Sequence, residues 1–317
     1  MKHIQSFMVV ALVSAWWCVP GFSEGTAAGE QRTATAPATV EQAYPGLASG
    51  ALTHARLVEL PQGVLLSSGE IAIGEKDVAA AGADAPEKIR AQLDKNALFV
   101  LEQIATSRLL PAAARQEAAR ANRDVSKSTD KEVVTEYLKG ILDAVQASDE
   151  EVAAFYDRNK SMFGGAKLEV VKAQLAQYLS QQKQQDAFRA LIESLGQKMT
   201  IEVSAAWVKT QSVPSRDNPA DKARLSGKPS LVDFGSKGCA PCDMLAPILE
   251  TLKKKYEGKA NVLFISVVEE EILASRYGIE AIPVQIFFDK DGKEVFRHTG
   301  FFPQEEIEKK LAEMGVK

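Results

Sequence analysis

Cys239 and Cys242 flank Ala240 and Pro241, after an apolar stretch at 230–234 and before a segment with helical patterning. Two thiols at that spacing can interconvert a dithiol and a disulfide. A thiol at the mouth of a helix faces backbone N–H groups and the positive end of the helix dipole. Both favour the thiolate, which is the nucleophile. The second thiol lies one turn further on and can attack a mixed disulfide formed by the first. Two other readings compete: half of a zinc site, or two coincidental core cysteines. Zinc needs four ligands; the chain has no second cysteine pair, and its three histidines, His3, His54 and His298, are scattered. The expectation is redox chemistry by the Cys239–Cys242 pair itself, with no metal and no other cofactor.

The elements around the pair alternate in type. A strand is expected at 230–235, a helix at 239–256, a strand at 261–267 and a helix at 270–276. A strand at 284–288 then turns through Asp291 and Gly292 into another at 294–299, and a last helix covers 303–314. This is a mixed α/β domain, a central sheet flanked by helices, with the cysteines at the end of a central strand. Upstream the pattern is mainly helical. Segments 55–60 and 64–67, separated by Pro61, Gln62 and Gly63, suggest a hairpin. Apolar residues from Ile89 to Ile104 recur at helical spacing, and Pro111 is expected to kink or divide that helix. Thr129 with Glu132 and Ser148 with Glu151 have the spacing of capping boxes. A long helix follows at 168–195, with Gly196 as its stop, and a short strand near 200–207 closes the region. Residues 209–228, with Pro214, Pro219 and Gly227 among charges, read as a linker.

The N-terminus differs in kind. Lys2 precedes an apolar run at 4–19, followed by Pro20, Gly21, Phe22 and Ser23. Residues 1–23 read as a secretory signal, and 24–52, rich in Ala, Thr, Gly and Glu, as a flexible leader. Cleavage would remove Cys18 and leave Cys239 and Cys242 as the only thiols. A bridge across so short a loop is a weak staple and a good switch. The net charge of −4 and the lack of a basic stripe with interleaved aromatics argue against nucleic acid as a partner.

Leu231, Val232, Asp233 and Phe234, the cysteine pair, then Met244, Ala246, Pro247, Ile248 and Leu249 resemble the active-site strand and helix of the thioredoxin family. Tyr277, Gly278, Ile279, Ile282 and Pro283 resemble that family's approach to its cis-proline, and Gly300 the glycine after its last strand. The resemblance covers about the final third of the chain, 229–317. It implies that Cys239 attacks, that Cys242 resolves, and that a buried Asp233 takes the proton from Cys242. It implies a cis Pro283 that presents the backbone of Ile282 to an extended substrate. The chain departs from the pattern at Gly235 and Gly238, which stand where aromatics are usual and would open the rim. It departs also at Ala240 between the cysteines, and at Phe264 in place of a lysine.

Leu101 to Leu110, then Ser148, Glu150, Glu151, Phe155, Tyr156, Asn159 and Lys160, with the return strand at 201–203, resemble the peptide-binding domain of SurA-type periplasmic chaperones. No isomerase insert fits between Gly165 and the long helix. Residues 53–208 are therefore expected to form a chaperone-like helical domain. With the secretory signal at 1–23, the two resemblances imply an exported, periplasmic thiol–disulfide oxidoreductase whose upstream domain holds extended clients, and the uncharged Ala240 and Pro241 between the cysteines favour a reducing or isomerising direction. Its partners would be proteins with thiols or disulfides and a membrane or periplasmic redox partner, with a homodimer left open. The alternatives are a peptide-binding protein whose thioredoxin-like domain is a recognition module, and a reductase dedicated to one partner.

Overall fold

Among the described residues, the apolar residues of the first two thirds of the chain build one sheet and its helices, and those of the last third build another. The structure, a computed structural model, describes residues 36–317. The signal segment expected at 1–23 and the start of the expected leader lie outside the described residues. The rest of that leader is not a flexible tail. Thr39 caps α1 (Val40–Ala43) in a reciprocal box with Gln42, and a 3-10 turn follows at Ala51–His54. Val40, Leu47, Ala51 and Leu52 are buried in the first core. Their burial outweighs a composition that on its own suggests disorder.

The expected hairpin has a different partner. β1 (Arg56–Val58) does not pair with β2 (Val64–Ser68); β2 pairs with β3 (Ile71–Gly74), turning at Gly69, whose φ is +59°. β4 (Glu202–Ser204) comes back between them, parallel to β1 and antiparallel to β2, so the order is β1-β4-β2-β3. Local pattern found the strands. Their partners depended on a segment far away in sequence.

The helices α2 (Glu75–Ala81), α3 (Glu87–Lys95) and α4 (Ala97–Arg120) follow. Pro111 does not divide the helix but sits inside α4; the division falls at Asn96, whose side chain bonds back to the Gln92 carbonyl at 2.9 Å. Both capping boxes are present, opening α5 (Asp130–Leu142) and α6 (Asp149–Arg158). α7 (Leu168–Lys198) runs through Gly196. That glycine serves close approach rather than termination: a Cβ there would lie 2.2 Å from the Ala51 carbonyl oxygen.

The expected linker at 209–228 is largely helical, in α8 (Ala205–Arg216) and α9 (Pro219–Arg224). Buried charges tie it down. Fully buried Asp221 pairs with Arg276 at 2.8 Å and accepts the Tyr277 hydroxyl at 2.9 Å. Arg276 donates to the Ser215 carbonyl at 2.7 Å, and Arg224 to the Gly46 carbonyl at 3.2 Å. Loss of Asp221 would strand the buried charge of Arg276, and loss of Arg276 that of Asp221. Proline and glycine content misled the reading because Pro219 opens α9, a position that needs no N–H.

The second sheet contains β5 (Ser230–Gly235), β6 (Asn261–Ser266), β7 (Val284–Phe288) and β8 (Glu294–Thr299), in the order β6-β5-β7-β8. β5 is parallel to β6 and antiparallel to β7. α10 (Ala240–Lys255), α11 (Glu271–Arg276) and α12 (Gln304–Glu313) complete it. Alternation along β5 sends Leu231 to a core with Leu245, Phe287 and Leu311, and Val232 and Phe234 to one with Ile265, Leu273 and Ile286. α3 docks on the loop after β6 and the first turn of α11: Lys88 Nζ donates to the Val268 carbonyl at 3.1 Å, and Gln92 donates to Glu269 O and accepts from Ile272 N. Among the described residues, no helix is long and apolar enough to cross a membrane.

Candidate active site

β5 ends at Gly235, and the chain turns at Gly238, with φ +81°, into α10. Cys239 is the N-cap residue of α10, and Pro241 lies in its first turn, where a missing N–H costs nothing. Cys239 and Cys242 form a disulfide with Cα atoms 5.2 Å apart. The two sulfurs are not equivalent. Cys242 is 4% exposed, whereas Cys239 is partly open to solvent. An incoming sulfur can reach Cys239, and Cys242 is shielded behind it.

Asp233 and Gly235 share the α10 side of β5, because side chains alternate along a strand. Asp233 is fully buried. Its neighbours in register are Phe264 on β6 and Gln285 on β7. Gln285 Nε2 donates to Asp233 Oδ1 at 2.7 Å, while Asp233 Oδ2 and Gln285 Oε1 have no hydrogen-bond partner among the described residues. Burial pushes the Asp233 carboxyl up to about 6, and the bond from Gln285 pulls the other way.

Gly235 does not open the rim as expected. A Cβ at that position would meet the Phe264 ring at 3.0 Å and Cys242 Sγ at 3.3 Å. Phe264, itself 46% exposed, fills the space with its ring. At Gly238 nothing among the described residues lies within 4 Å of where a Cβ would stand.

The Ile282–Pro283 peptide bond is cis. Val284 pairs with Phe234, so Pro283 reaches the same end of the sheet as Gly235 and the turn to the cysteines. Pro283 is buried and its carbonyl accepts Gly300 N at 2.8 Å, while Ile282 is partly exposed. The fold therefore gathers Asp233, Cys239, Cys242, Ile282 and Pro283 at one sheet end. Sequence reasoning missed Gln285. Its signal was available: it is the one polar residue in the buried strand Val284–Phe288, two positions after Pro283. Among the described residues, no group of three or more His, Cys, Asp or Glu is placed to hold a metal ion.

Residues 217–315 match the family described as a thioredoxin-like domain. The match begins two residues before α9, inside the segment first read as a linker. A thioredoxin of Staphylococcus aureus is 46% identical over 77 residues, which are 24% of this chain and 73% of that protein. Among solved structures, Fasciola hepatica thioredoxin is matched over 28% of this chain and 82% of its own, at 31% identity and a TM-score of 0.26. The Nicotiana alata thioredoxin NaTrxh is matched over 30% and 80%, at 29% identity and a TM-score of 0.27.

Proposed function

The chain belongs to the thioredoxin family through its C-terminal region, and on that premise we propose that it is a thiol–disulfide oxidoreductase acting on protein cysteines. The observation that carries the proposal is the unequal disulfide, with Cys239 accessible at a helix N-terminus and Cys242 buried on the side of the sheet that holds Asp233. In the reduced state the Cys239 thiolate attacks one sulfur of a client disulfide. The Cys239–client bond forms, and the client's other sulfur leaves as a thiolate that takes a proton from water. Ionised Asp233 then takes the proton from the Cys242 thiol. The Cys242 thiolate attacks Cys239 Sγ, the mixed disulfide breaks, and the second client sulfur leaves as a thiolate that takes a proton from water while Asp233 returns its own to solvent, so the client departs with two thiols. The pair has supplied two electrons and is oxidised, so an external dithiol donor must reset it.

Ile282, on the open side of Pro283, would offer its backbone to an extended client. The direction we favour is reducing or isomerising, because Ala240 and Pro241 place no charge between the cysteines to stabilise the thiolate further. A reduction potential near about −120 mV would reverse that preference. We further infer that the protein is exported to the periplasm and that 53–208 is a chaperone-like region of the SurA type. The supports are the apolar run at 4–19 and the helical motifs from Leu101 to Lys160. Lys88 and Gln92 fasten this region to the loop after β6, so a client held there would meet Cys239 at a raised effective concentration.

The open space at Gly238 favours a second reading, a recognition module without turnover. One experiment separates the two. Cys242→Ser should trap client proteins as mixed disulfides at Cys239, and Cys239→Ser should abolish insulin disulfide reduction driven by a dithiol donor. If the first variant traps nothing while the wild-type protein still suppresses aggregation, the binding-module reading stands instead.

A further inference from the structure

Among the described residues the Asp233 carboxyl has a single hydrogen-bond partner, and that partner is an uncharged amide. Asp233 and Gln285 face each other in register across β5 and β7, and both are 0% exposed. A buried amide in a strand otherwise made of Val, Ile and Phe is costly unless it is hydrogen-bonded, and an aliphatic side chain would fill the site without that cost. The neighbours offer nothing else. β6 contributes Phe264 in register with Asp233, α10 places Cys242 beside Gly235, two residues along β5 on the same side of the sheet, and among the described residues no charged side chain shifts the ionisation of the carboxyl. Asp233 Oδ2 and Gln285 Oε1 are both bare acceptors in this buried site. The site is short of a donor, and the donor that disulfide exchange delivers is the Cys242 S–H.

We propose that Gln285 is the positioning residue of the proton transfer: its amide holds Asp233 Oδ1, so that Oδ2 is the oxygen that takes the proton from Cys242. The inference rests on the oxidoreductase reading above. No charge is needed at Gln285, and none moves there; the O–H bond forms at Oδ2 as the S–H bond of Cys242 breaks. The amide is also the group that favours the ionised carboxylate, so its removal makes the base harder to ionise.

The test uses the full chain, reduced and then mixed with glutathione disulfide. Two steps are followed: capture of one glutathione by Cys239, and release of that glutathione as Cys242 closes the disulfide. In the wild type the release rate should rise with pH around the ionisation of Asp233, near about 6. Gln285→Met, close in shape and without a donor, should move that midpoint up by about one pH unit. At pH 6 release should slow about fivefold, with little change above pH 8 and no change in capture. Gln285→Leu is the second variant should Met perturb packing, and Gln285→Glu, a donor only when protonated, should move the midpoint up as well. A purely structural role would lower stability and leave the midpoint in place. An unchanged midpoint in an active, folded Gln285→Met protein overturns the positioning role alone. A wild-type protein that captures no glutathione overturns the oxidoreductase reading, whatever Gln285 does.

Discussion

Glu102 and Asp233 are both buried carboxyl groups, one in the helical region and one in the second sheet, and they are treated in opposite ways. Glu102, 3% exposed, accepts Ser49 N and Oγ through one oxygen and Gly50 N and Leu52 N through the other. Asp233 accepts one amide and keeps an oxygen bare. Burial pushes both carboxyls up, but at Glu102 four hydrogen bonds pull back and at Asp233 only one does. The first arrangement fastens a loop to α4, since every donor of the 49–52 segment that faces it is satisfied. The second leaves a carboxyl that can exchange a proton near neutral pH. Saturation with donors makes a buried acid structural, and want of donors makes it reactive.

The contrast should appear as opposite signs in stability. Glu102→Leu leaves the buried N–H groups of Gly50 and Leu52 without acceptors and returns that of exposed Ser49 to solvent, and should lower unfolding free energy by about 3 kcal/mol. Urea unfolding measures this, and a loss under about 1 kcal/mol would break the comparison. Asp233→Asn should do the reverse. A carboxyl whose pKa rises from 3.8 to about 6 on folding is held as a neutral acid below pH 3.8, at no electrostatic cost. The penalty builds as pH rises from there to 6 and is complete above it. At pH 7 it amounts to about 3 kcal/mol, which the asparagine variant should recover while disulfide closure by Cys242 slows. Unfolding at pH 4, where wild type and variant should nearly coincide, checks the sign.

The second sheet was readable in sequence because β5, β6 and β7 each carry a short apolar run and β8 follows the turn at Asp291 and Gly292. The cysteine pair, Asp233 and Pro283 were legible because they lie in or just outside those runs. Gln285 was missed because its meaning lies in its cross-strand partner, which no local pattern reveals. Gly235 was misread as an opening because Phe264, from another strand, fills the space. In the first half, the capping boxes at Thr129 and Ser148 were legible as local chemistry. The pairing of β1 with β4 and the burial of 40–52 were not, because both depend on segments more than a hundred residues away. Gly196 shows the limit most plainly: its reason is the Ala51 carbonyl, not the end of a helix.

Phe264 gives the finest test of what makes Asp233 reactive. Its ring stands beside Gly235 and Cys242 and pairs in register with Asp233, so it helps to keep water from the carboxyl. Being 46% exposed, it contributes modestly to stability, and Phe264→Ala should cost about 1 kcal/mol. The larger consequence is electrostatic. Water admitted along β6 would solvate the ionised carboxyl, and the pKa of Asp233 should fall from about 6 toward its ordinary value of 3.8. The closure rate should then lose its dependence on pH between 5 and 7. Phe264→Leu, which refills the space, should restore most of it. If Phe264→Ala leaves the midpoint near 6, shielding comes from α10 and β7 alone, and the difference between the two carboxyls reduces to their count of donors.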